Sequence, residues 1–186
     1  ARDRRFDVRH IRLDITLDME RAWVGGKAAI DLAPIVEGVR EITLDAFDLT
    51  VHTVRSNGRL LPFDNDRRQL TIKLGRPRRV GRNIHLSVEY EANPRRGLYF
   101  LRPDEAYPNR PKQVWSQGED EDSRHWFPCY DYPNDRVTSE IVVTVPSRYF
   151  ALSNGRLLDV KEGENATKTY HWRQEQPHAT YLVSLV

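Results

Sequence analysis

Ile11-Arg12-Leu13-Asp14-Ile15-Thr16-Leu17-Asp18 alternates apolar and polar residues without a break. Side chains of a strand alternate with a period of two, so Ile11, Leu13, Ile15 and Leu17 fall on one face. Arg12, Asp14, Thr16 and Asp18 fall on the other, which reads as a strand with one wet side. Ala22, Val24, Gly26, Ala28, Ile30 and Leu32 continue the pattern, with a bulge or kink expected at Gly25-Gly26. Ile42-Thr43-Leu44 and Leu49-Thr50-Val51 predict short strands. So do the alternating sets Leu70/Ile72/Leu74, Ile84/Leu86/Val88/Tyr90 and Ile141/Val143/Val145. Asn57-Gly58 is a two-residue hairpin signal, because both positions accept positive φ.

Toward the end of the chain, Phe150-Ala151-Leu152-Ser153 reads as a strand entering a turn at Asn154-Gly155. Thr167 to Trp172 and Thr180 to Leu185 read as two closing strands. No window of about 11 residues or more carries the 3.6-residue period of a helix. The expected fold is therefore all-β over residues 1–186 as a single domain: a sandwich or saddle of twisted, mostly antiparallel sheets. The strands keep no fixed repeat length, which argues against a propeller or solenoid. The start at Ala1 and the strand-like Tyr181-Leu182-Val183-Ser184-Leu185-Val186 are expected of a piece of a longer protein.

The 186 residues are enough for a real core, and 39% hydrophobic with 30% charged is the balance of a globular chain. No apolar run approaches the roughly 20 residues of a membrane-spanning helix. Ala1 to Arg5 lack the apolar stretch of about 7–15 residues that follows the basic start of a signal peptide. Five lysines account for only a small part of the 29 basic residues, yet the net charge is +2. The arginine clusters Arg2/Arg4/Arg5, Arg67/Arg68, Arg76/Arg78/Arg79 and Arg95/Arg96 have Asp and Glu nearby and fall at turns. That is a solvated surface, not the one-sided basic stripe of a nucleic-acid binder.

One segment breaks the strand rhythm: Ser116-Gln117-Gly118-Glu119-Asp120-Glu121-Asp122-Ser123-Arg124-His125-Trp126-Phe127-Pro128-Cys129-Tyr130-Asp131-Tyr132-Pro133. An irregular stretch this rich in chemistry is where a β scaffold usually carries function. The acidic run lacks the glycine and the bidentate Glu of a calcium loop. Asp120, Glu121 and Asp122 are read as a solvated acidic turn. Gln117 and Glu119 differ, because the small Gly118 between them places both side chains on one face of an extended segment. An amide beside a fixed carboxylate suits a cationic ammonium group; a solvated turn is the plainer alternative.

Cys129, the only cysteine, excludes an internal disulfide and is read as a small buried hydrophobe. No pair among His10, His52, His85, His125, His171 and His178 has helical zinc-site spacing, and no Gly-x-Ser-x-Gly elbow is present. The residues give this chain neither a metal site nor self-contained catalysis. Asn165-Ala166-Thr167 matches the glycosylation acceptor pattern, which is common by chance.

Gln117-Gly118-Glu119, Arg124 and Phe127-Pro128-Cys129-x-Asp131-x-Pro133 resemble the N-terminal domain of the gluzincin zinc aminopeptidases, the aminopeptidase N and leukotriene hydrolase family. The opening strand from Val8, Leu44-Asp45-Ala46, Gly97-Leu98-Tyr99-Phe100 and Thr180-Tyr181-Leu182-Val183-Ser184 extend the resemblance over nearly the whole chain. Tyr132 stands where the family usually has Glu, and Arg136 where Lys is common. The resemblance implies a β domain packed against a separate thermolysin-like catalytic domain. That domain holds the zinc ion, the His-Glu-x-x-His motif and the Gly-x-Met-Glu-Asn loop, none of which is in this sequence.

It further implies that Glu119 holds the free α-amine of a peptide substrate, with Gln117 and Gly118 beside it lining the first subsite. Arg124 is expected to tie the acidic loop to a packed base of Trp126, Phe127, Pro128, Cys129 and Tyr130. Two other readings are set against this one: a non-catalytic interaction scaffold of the same architecture, and a free-standing β-sandwich binding module. The intact Gln117-Gly118-Glu119 favours the enzyme.

Overall fold

The computed structural model describes residues 3–186; Ala1 and Arg2, including the Arg2 end of the first basic cluster, lie outside the described residues. The strands are β1 (Phe6–Asp18), β2 (Trp23–Pro34), β3 (Val39–Asp45), β4 (Thr50–Ser56), β5 (Arg59–Leu60) and β6 (Phe63–Asn65). They continue as β7 (Gln69–Arg78), β8 (Ile84–Ala92), β9 (Leu98–Leu101) and β10 (Gln113–Ser116). β11 (Val137–Pro146), β12 (Arg156–Glu162) and β13 (Thr167–His178) complete the set. The helices among the described residues are two 3-10 turns, Ser123–His125 and Thr180–Leu182. None is long and apolar enough to cross a membrane.

Eight strands form one sheet in the order β12-β13-β11-β1-β2-β8-β4-β5, and β3-β7-β6 form a second. Every ladder is antiparallel except β1 with β11. The all-β, mostly antiparallel expectation holds. One continuous core lies between the two sheets, built from the inward residues of β1, β2, β8 and β11 and from Ile42, Leu44, Leu70, Ile72 and Leu74. The predicted alternating sets on β7, β8 and β11 are buried throughout. Asn57 and Gly58 both take positive φ, and their two-residue turn joins β4 to β5.

The structure corrects the sequence in three places. The irregularity in β1–β2 pairing falls between Val8 and His10, not at Gly25-Gly26, which pair in register on both sides. The extra residue, Arg9, shifts the alternation by one, so that Phe6 and Val8 as well as Ile11 and Leu13 face the core. Gly26 is required by close approach: a Cβ there would lie 2.1 Å from the Asp14 carbonyl oxygen. Phe150 to Ser153 is not a strand, and only Ser153 bridges, to Leu185. Thr180 to Leu185 begins as a 3-10 turn, with the Leu182 and Val183 amides donating back to Ala179 and Thr180. The Thr180 hydroxyl donates to the Tyr130 carbonyl at 3.1 Å, which fixes that turn against the central loop.

Candidate functional site

The central loop is held from three sides. β10 pairs with β9, and one further bond, Gln117 N to Gly97 O at 2.9 Å, carries the ladder past Ser116. On the other flank, the Ser116 amide donates to Leu185 O and the Ser116 hydroxyl accepts from the Leu185 amide, both at 2.9 Å. Beneath, Trp126, Phe127, Cys129 and Tyr130 are buried in the core. Trp126 and Phe127 meet edge to face at 4.5 Å, and Tyr130 meets Phe6 likewise at 5.6 Å. Cys129 and Asp45 exchange both backbone hydrogen bonds, tying the base to the end of β3. The packed base expected from sequence is therefore present, with Cys129 as a small buried side chain.

Arg124 is the clamp between that base and the acidic loop. Its Nε donates to Asp131 Oδ2 at 3.2 Å, and its Nη2 donates to the Asp131 carbonyl at 2.8 Å and to Glu121. The Arg124 amide also donates to Asp131 Oδ2 at 3.0 Å, and Asp45 Oδ1 lies 4.0 Å from the guanidinium. Asp45 Oδ2 in turn accepts from the Asp131 amide at 3.0 Å. Burial pushes the Asp131 carboxyl up to about 6, against the opposing hydrogen bonds and charge of Arg124. Asp131 was visible in the sequence only as part of the motif. Its partnership with Asp45, 86 residues away, carried no local signal.

The acidic run separates into two groups. Glu121 is bound to Arg124, and Asp122 pairs with Arg96 at 3.3 Å and with His125 at 3.6 Å, so neither is the solvated turn residue expected. Two of these pairings are local, three residues apart, whereas Arg96 comes from the turn between β8 and β9, which local sequence does not show. Asp120 is exposed, and neither it nor Glu119 has a hydrogen-bond or ion-pair partner among the described residues. The peptide bond between Glu119 and Asp120 is cis.

Gln117 and Glu119 are exposed on either side of buried Gly118. A Cβ on Gly118 would lie 2.4 Å from the Tyr181 carbonyl oxygen and 2.7 Å from Ser123 Oγ. The glycine lets the loop seat directly on the backbone of the last 3-10 turn. Glu119 opens onto a shallow depression of about 370 Å³ that it shares with Asp120, Glu121, Tyr132, Pro133 and Tyr181; Gln117 is not among its lining residues. Tyr181 was not singled out as a site residue, and its place beside Glu119 follows from the turn that sequence had read as a strand.

Among the described residues no group of three or more His, Cys, Asp or Glu side chains is arranged to hold a metal ion.

A family model described as the peptidase M1 N-terminal domain matches residues 7–182. Leucine aminopeptidase 2 of Candida glabrata is 26% identical over 190 residues, covering 97% of this chain and 28% of its own length. Aminopeptidase B of Mus musculus is 22% identical over 206 residues, covering 98% of this chain and 31% of its own length. The solved M1 zinc metallopeptidase of Deinococcus radiodurans matches with a TM-score of 0.85 at 25% identity, over 98% of this chain and 42% of that one. This chain thus spans less than half the length of each relative. With a family match over almost its whole length and the same fold in a solved zinc metallopeptidase, the chain belongs to the peptidase M1 N-terminal domain family.

Proposed function

We propose that residues 1–186 form the single N-terminal β domain of a larger zinc-dependent aminopeptidase, and that this domain recognises the free N-terminus of a peptide substrate. The observation that carries the reading is an unpaired carboxylate on a rigid mount. Glu119 has no partner among the described residues, while the glycine before it is packed on Tyr181 and Arg124 binds both Glu121 and Asp131. A carboxylate so presented accepts hydrogen bonds from an α-ammonium, and Gln117 and Gly118 line the neighbouring subsite. Zinc, its ligands and the general base belong to a thermolysin-like domain against which this one packs, where a bound zinc would activate the water for hydrolysis. This chain alone is inactive.

An ammonium–carboxylate hydrogen bond contributes about 1.5–3 kcal/mol, or roughly 10- to 150-fold in affinity. In the full-length enzyme, Glu119→Gln is expected to raise KM for unblocked peptides by at least about tenfold. An unchanged KM would overturn the anchoring role. The isolated chain, with or without added zinc, should not hydrolyse aminoacyl substrates, and turnover by it would overturn the division of labour.

A further inference from the structure

The outward face of the β9–β10 ribbon carries an aromatic pair that the anchoring role does not use. Val114 and Leu98 are buried on its inner face, and Trp115 lies opposite Tyr99 in the ladder on the other. Their rings stack with centroids 4.7 Å apart and planes 23° from parallel, and Trp115 keeps 37% of its surface exposed. Because the ladder continues through Gln117, Trp115 and Gln117 project from the same side, about 7 Å apart along the strand. Glu119 lies four residues beyond Trp115, at most about 14 Å away. That upper limit is comparable to the combined reach of the Glu119 side chain, one hydrogen bond and a phenylalanine-sized side chain, although Trp115 does not itself line the depression beside Glu119.

We propose that Trp115, braced by Tyr99, is a specificity-determining residue that favours peptides with a large planar or apolar N-terminal side chain. A stacked pair presents a flat apolar surface whose orientation is already fixed. A side chain laid on it gains aromatic contact with little further ordering. The inference rests on the anchoring reading, since an amine held at Glu119 would make the first side chain the part of a peptide within reach of Trp115.

The test uses the full-length enzyme and aminoacyl substrates with N-terminal Phe, Leu or Ala. Trp115→Ala is expected to lower kcat/KM for Phe and Leu about tenfold and to leave Ala within about twofold. Trp115→Phe should restore most of the preference, and Trp115→Leu covers the case in which the alanine variant does not fold. Equal losses on all three substrates, as expected if another part of the protein covers this ribbon, would overturn the proposal; so would no loss. Glu119→Gln run in parallel should weaken all three alike. If it does not, the anchoring reading fails, whereas a flat Trp115 profile beside a uniform Glu119 effect removes only the platform.

Discussion

Replacing Arg124 by Met tests whether the loop is held electrostatically. Met keeps the apolar stem and removes the guanidinium, leaving Asp131 (side chain 1% exposed) and Asp45 (3% exposed) facing each other without it. At the 3.2 Å and 4.0 Å separations seen here, a unit attraction screened by an effective dielectric near 20 is about 4 kcal/mol. Removing one partner of a buried pair typically costs 3–5 kcal/mol, so a loss of about 3–4 kcal/mol is expected near pH 7.5. In urea, with a slope of about 2 kcal/mol/M, that moves the midpoint down by about 1.5–2 M.

The pH dependence makes the test stricter. The Asp131 carboxyl is raised by burial to about 6 from 3.8, so between those values the native state holds the proton more tightly than the unfolded chain. Its contribution to stability is present at low pH and is lost as pH rises through about 6. Without Arg124 the carboxyl rises further, so the variant loses more at neutral pH than near pH 4, where Asp131 is protonated in both proteins and only the bonds to the Asp131 carbonyl and Glu121 and the contact with Asp45 are lost. A midpoint shift below about 0.5 M, or an equal shift near pH 4 and pH 7.5, would refute the clamp.

Two further substitutions address packing and the far face of the large sheet. Gly118→Ala places a methyl 2.4 Å from the Tyr181 carbonyl oxygen; overpacking of about 1–3 kcal/mol should lower the thermal midpoint by roughly 3–10 °C, and a midpoint within about 1 °C would contradict the close seating. Glu140 (side chain 11% exposed) accepts from His171 at 2.6 Å and Arg12 at 3.1 Å, with His10 at 3.4 Å and Arg173 at 3.8 Å. Burial works to raise its pKa, but the His171 bond and the charges of His10 and Arg12 outweigh it and lower the value. Glu140→Gln should cost about 1.5–3 kcal/mol near neutral pH in chemical unfolding. That difference should shrink as pH falls below the ordinary carboxylate range and vanish once the native carboxyl, held lower still, is protonated too.

The strands that could be read from sequence are those with one face buried, because burial writes a period of two into the chain. β12 could not be read: every residue of Arg156-Leu157-Leu158-Asp159-Val160-Lys161-Glu162 is exposed, so no alternation was imposed on it. The parallel neighbour of β1 was also invisible, since His10 pairs with Thr138 through no local signal. Apolar residues misled at Thr180–Leu185, where a hydroxyl bond to Tyr130 and backward amide bonds turn the chain. At the site, motif residues were legible but their partners were not. Gly118 reads as a spacer between two polar residues, whereas its structural reason is the backbone of Tyr181.

The same partners explain why four successive acidic residues do different things. Glu121 and Asp122 are consumed in holding the loop, one by Arg124 and one by Arg96 and His125. Their charges are neutralised locally, so they add little to the field at the rim. Glu119 stands at the other end of the run, after a glycine seated so close to Tyr181 and Ser123 that no side chain fits there. A carboxylate left free on a fixed backbone loses less binding energy to ordering when it meets an ammonium than one on a mobile turn. The structural acids thus set the position of the free one. On the anchoring role proposed for Glu119, mutating Glu121 should raise KM for unblocked peptides less than mutating Glu119, and through loss of loop order.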